Sequence, residues 1–148
     1  MTSGGEGVDK MLNKAEYWLG LCDNDLKAAK AMLEANQFLW TGFICHLVVE
    51  KAIKAIIASK TCEIPPRLHK LSRLAEIGDI YDELDKDQQE LLDILTPLQI
   101  EGRYPEYKEK VSAKLTKSYC RQLLTHTEEF VCWTKQRLGS LPQNTQAE

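Results

Sequence analysis

His46, Glu50 and Lys54 are the first residues in this sequence whose types and spacing could do chemistry. An imidazole, a carboxylate and an ammonium at i, i+4 and i+8 stand in one row along a helix turning about 100° per residue. If exposed, such a row is a ladder of weak ion pairs. If buried, each bond becomes obligatory, because an unpaired buried charge costs several kcal/mol. The row is then either self-satisfying or the floor of a polar site. A second group is Glu101, Arg103, Tyr104 and Tyr107, in a polar stretch broken by Pro105. The Arg103 guanidinium is planar, always charged and suited to a phosphate or carboxylate, and Tyr104 could stack on a base. The alternative is that Arg103 anchors its own loop to an acid such as Glu50 or Asp25. A third group is Arg121 and His126. Five positions on a straight helix is about 140°, so one chain does not hold them side by side. A solvated Arg121 and a His126 flanking an apolar stripe is the structural alternative.

Metal chemistry has little to work with. The Glu-x-x-His pairs of a di-iron bundle and the HExxH motif are both missing, and His46, His69 and His126 are dispersed. Gly-rich phosphate loops and the GxSxG elbow are missing as well. The expectation is a protein with no metal and no cofactor.

These residues must be positioned by helices. Phe38 to Lys60 (FLWTGFICHLVVEKAIKAIIASK) is apolar on nearly every side, which requires neighbours all round. Before it, Leu12, Ala15, Leu19, Cys22, Leu26, Ala29 and Leu33 form a stripe on a helix expected from Asp9 to Ala35, with a turn at Asn36-Gln37. After it, Pro65 and Pro66 break the chain. Short helices are expected over His69–Ile77, stopped by Gly78, and over Asp87–Ile94, opened by Asp87 with Glu90. A last helix, begun between Ser112 and Thr116, carries Cys120, Leu123, Leu124, Thr127, Phe130, Val131, Thr134 and Leu138 inward. No segment alternates as a strand would. The predicted class is all-α, an antiparallel up-and-down bundle of four to five helices spanning residues 9–138, with disordered tails at 1–8 and 139–148.

A chain of 148 residues with net charge −3 suits one domain and excludes a generally basic nucleic-acid binder; DNA is not an expected partner. No apolar run approaches the roughly 20 residues of a membrane span, and the N-terminus lacks an apolar signal core. Five cysteines without CxxC spacing read as reduced thiols of a cytoplasmic protein, with Cys62 alone expected at the surface.

Taken in order, Asp25-Leu26-x-x-Ala29, FICHLVVEKAIKAI, His69-Lys70-Leu71-x-x-Leu74 and Arg103-Tyr104-Pro105 resemble the HEPN domains, the higher eukaryotes and prokaryotes nucleotide-binding bundles. The resemblance runs from about Ala15 to Leu138. It implies a helical bundle, usually a homodimer, often encoded beside a minimal nucleotidyltransferase in toxin–antitoxin type pairs. Many members are ribonucleases that use an Arg, four to six residues and then a His, near a dimer cleft. After Arg103 the corresponding positions hold Lys108, Glu109 and Lys110, whereas Arg121 and His126 fit the spacing inside the last helix. The reading that follows is a non-catalytic HEPN-like domain binding a nucleotide, an RNA or a nucleotidyltransferase partner. Its site would draw on Asp25, Glu50, Lys54, His69, Arg103 and Tyr104. The rivals are an endoribonuclease using Arg121 and His126, and a pure dimerisation scaffold.

Overall fold

The computed structural model describes residues 3–61, 63–101 and 113–139. Its helices are α1 (Ser3–Glu34), α2 (Phe38–Lys60), α3 (Leu71–Ile77), α4 (Lys86–Leu95), α5 (Leu98–Glu101) and α6 (Lys117–Gly139), with a 3-10 turn at Tyr81–Glu83. No strand occurs among the described residues, and the architecture is the all-α bundle that the apolar periodicities require. α2 touches every other helix named here. Its side chains Cys45, Val48, Val49, Ala52, Ile53, Ala55 and Ile56 are fully buried, as an all-round apolar helix demands. The whole inward stripe of α6, from Cys120 to Leu138, is buried too. The hydroxyls of Thr127 and Thr134 on that stripe donate to the carbonyls of Leu123 (2.8 Å) and Phe130 (2.9 Å), so their burial leaves no donor unpaired.

The element ends differ from the expectations in instructive ways. α1 begins at Ser3 rather than Asp9, so residues 3–8 are helical where a disordered tail was expected. α1 ends in a Schellman motif built on Asn36, whose φ of 59° is left-handed. The Gln37 N–H reaches Met32 O (2.8 Å) and the Asn36 N–H reaches Leu33 O (3.0 Å). α3 ends the same way. The left-handed residue there is Asp79 (φ 58°), not Gly78, which stays right-handed. Gly78 is closely packed instead: a Cβ on it would meet Ile57 Cγ1 at 3.1 Å. α3 also starts at Leu71, not His69, leaving His69 in the extended segment that follows the prolines. The capping box of α4 is Asp85 with Gln88, in place of Asp87 with Glu90. Asp85 accepts from Gln88 N (2.8 Å) and Gln88 Oε1 accepts from Asp85 N (2.9 Å). The short α5, which is not among the expected helices, lays Leu98 over Gly42 of α2, where an added Cβ would sit 3.0 Å from Leu98 Cδ1.

Cys22, Cys45 and Cys120 are buried, while Cys132 is exposed, contrary to its expected place among hydrophobes. Cys62 lies outside the described residues. Tyr17 and Trp40 are exposed, so neither caps the core. No described helix is long and apolar enough to cross a membrane.

Candidate functional site

The row on α2 is nearly buried. His46 is fully enclosed, and the side chains of Glu50 and Lys54 are only 11% and 13% exposed. Lys54 Nζ donates to Glu50 Oε2 at 2.8 Å, and this bond neutralises both charges. The ammonium also sits 5.6 Å from the centre of the Trp18 ring on α1, within cation–π range. The other carboxylate oxygen is different. Glu50 Oε1 lies 3.7 Å from His46 Nε2 and 3.9 Å from His69 Nδ1, both too far for a hydrogen bond, and it has no partner among the described residues.

Burial pushes the His46 imidazole from 6.5 down to about 4; Glu50 pulls the other way and His69 adds a smaller downward push. The ring is therefore neutral near pH 7 and carries one proton. Nε2 faces two acceptors, the His69 carbonyl at 3.3 Å and Glu50 Oε1, which places that proton on Nε2. Nδ1 is then a buried acceptor, and it too has no partner among the described residues. The Nε2–H bond pins the segment before α3 against α2. That contact brings the half-exposed His69 ring beside the cluster.

The residues singled out from sequence separate into groups. Glu50, Lys54 and His69 come together around one carboxylate, with His46 behind them. Asp25 does not join them; it accepts from Lys51 Nζ. Arg103 and Tyr104 lie outside the described residues. Arg121 is exposed on α6 and makes no contact with His126, whose Nδ1 lies 3.3 Å from Glu129 Oε1. Trp18 was missed. Its signal was available, since Ala15, Trp18, Leu19 and Cys22 fall at i, i+3, i+4 and i+7, which puts Trp18 at the edge of the α1 stripe. No group of three His, Cys, Asp or Glu among the described residues is placed to hold a metal ion.

The arrangement can accept a hydrogen bond. One oxygen of Glu50 is tied to its cation, and the other faces two imidazoles without taking a donor from either. A further amino, imino or hydroxyl donor would complete it; His69 Nδ1 lies 3.9 Å from that oxygen and an aromatic ring stands next to the lysine. Fold and site together define an all-helical module with a polar cluster set into the flank of its central helix.

The chain belongs to the HEPN domain family, whose model matches residues 15–138. Among solved structures the fold is similar to that of TT1696 from Thermus thermophilus, at a TM-score of 0.70 and 18% identity over 84% of this chain and 98% of that one. That likeness is one of fold. No curated protein matches the sequence.

Proposed function

We propose that this chain is a non-catalytic HEPN domain that binds a nucleotide at the Glu50 cluster. The observation that carries the reading is the nearly buried Glu50 carboxylate, one oxygen of which has no partner among the described residues, since native interiors leave few such groups unpaired. A nucleobase offers amino and imino donors and a ribose offers hydroxyls, either of which satisfies Oε1. The Trp18 ring and the Lys54 ammonium supply an aromatic face and a positive charge within the same cluster. In this reading the domain works as a homodimer beside a nucleotidyltransferase, as one half of a toxin–antitoxin type pair.

The test is thermal unfolding of the wild-type chain, Glu50→Gln and His69→Ala with a panel of nucleoside mono- and triphosphates. A nucleotide at roughly 100 times its Kd stabilises by about 2.7 kcal/mol, a rise of several degrees for a chain of this length. That rise should vanish in Glu50→Gln and shrink in His69→Ala, whose exposed side chain the fold does not need. If no nucleotide moves the transition while an RNA or a nucleotidyltransferase does, the site serves that partner instead and the nucleotide reading fails.

A further inference from the structure

A groove of about 320 Å³ runs between α4 and α6, far along the chain from the Glu50 row. Its floor is apolar: Leu91 and Ile94 on one helix face Tyr119 and Leu123 on the other. A smaller hollow of about 170 Å³ continues it, sharing Asp87, Leu91 and His126 with the first. Leu91 and Leu123 are buried beneath, but Ile94 is left 41% exposed. The rim is acidic. Asp87 and Glu90 edge the larger hollow, Asp85 and Glu129 edge the smaller one, and among the described residues no lysine or arginine lines either.

Two features decide the occupant. The apolar residues recur at helical spacing on both sides (Leu91 and Ile94; Tyr119, Leu123 and Phe130), a pattern that an amphipathic third helix can match by ridges into grooves. The carboxylates on both sides repel phosphate and attract cations, so the groove suits neither a nucleic acid nor an acidic segment. We infer that this groove docks an amphipathic, cationic helix of a partner protein, its apolar face on Ile94 and Tyr119 and its Lys or Arg residues against Asp87, Glu90 and Glu129. This inference is independent of the nucleotide reading, because the two sites share no residue.

The probe is a labelled amphipathic helical peptide of leucine and lysine, followed by fluorescence anisotropy on the full chain at low and moderate salt. A peptide with the same leucine pattern and glutamate for lysine serves as control. The cationic peptide should bind with Kd on the order of micromolar, weakening with salt, and the acidic one should not. Glu90→Lys with Glu129→Lys should weaken binding at least about tenfold, and Ile94→Ser should do so without any change of charge. All four side chains at stake, including Asp87, are exposed, and circular dichroism checks that the helical signal is unchanged. Binding that survives both variants, or equal binding of the acidic peptide, overturns the inference. So does sedimentation showing that wild-type dimers hold the peptide out and that Ile94→Ser releases monomers, since the groove would then be covered by a second copy.

Discussion

His46 shows how one side chain ties the site to the stability of the fold. Its imidazole titrates near 6.5 in the unfolded chain and near 4 when folded. Between those values the unfolded state binds more protons, so stability is full above the unfolded value and falls as pH drops through the window. The loss approaches about 3 kcal/mol by the lower end. Denaturant unfolding at steps from neutral pH downward should show this acid limb in the wild-type chain and a flatter one in His46→Gln, which cannot titrate. Glu50 and Lys54 make a second prediction. Glu50→Ala strands the nearly buried Lys54 cation and should cost about 3 kcal/mol, whereas the paired change Glu50→Met with Lys54→Leu should cost far less. If the paired variant folds well yet loses nucleotide binding, the two polar residues are kept for the ligand rather than for stability. The thiols divide as their burial dictates. Burial raises Cys22 and Cys45 to about 12 and Cys120 to about 11, so brief alkylation of the native chain followed by peptide mapping should label Cys132 and spare these three.

At the scale of elements, the ends of the helices are where side-chain chemistry counts most. Asn36 and Asp79 hold left-handed backbone at two Schellman turns. Asn36→Ala should therefore destabilise by about 1 kcal/mol, and Asn36→Gly should be neutral or better. The order of the two Tm shifts checks it, and equal losses would mean that the Asn side chain, not its backbone angle, holds the turn. Asp85→Ala removes the capping box of α4 and should cost about 1 kcal/mol, with Asp87→Ala nearly silent. The 3-10 turn is fastened to α6 by a bidentate pair, Arg137 Nε to Glu83 Oε1 at 2.6 Å and Nη2 to Oε2 at 2.9 Å. That bond holds the Glu83 carboxyl below its usual range. Because the pair stands at the surface, it contributes position more than energy.

For the whole molecule, the cluster at Glu50 and the groove between α4 and α6 are chemically opposite sites on one bundle. The first offers a buried acceptor beside a cation, and the second an apolar floor under carboxylates. The ribonuclease alternative can be decided directly. Incubated with mixed RNA in EDTA, the purified chain should leave it intact; cleavage that disappears in His126→Ala would establish catalysis by α6 in place of binding alone.

The sequence by itself determined the longer helices and most of their inward faces, though not the short α5 or the exposed place of Cys132. Periodicity is a local property, and a helix apolar on all sides, such as Phe38 to Lys60, admits only a central place. It also put His46, Glu50 and Lys54 in one row, because i, i+4 spacing is a fact of helix geometry. It did not reveal the left-handed turn at Asp79 beside the more obvious Gly78, or the cap at Asp85 beside the similar Asp87. Asp85 and Asp87 offer near-equal capping chemistry, and glycine is locally the easier residue in left-handed backbone, so in neither case does the local sequence point to the residue the fold uses. Only the tertiary structure decided what meets across elements: that Lys51 takes Asp25 away from the cluster, that Trp18 stands by Lys54, and that α4 and α6 leave an acidic groove. Such pairings depend on how helices distant in sequence are rotated and spaced against one another, which no single helix encodes.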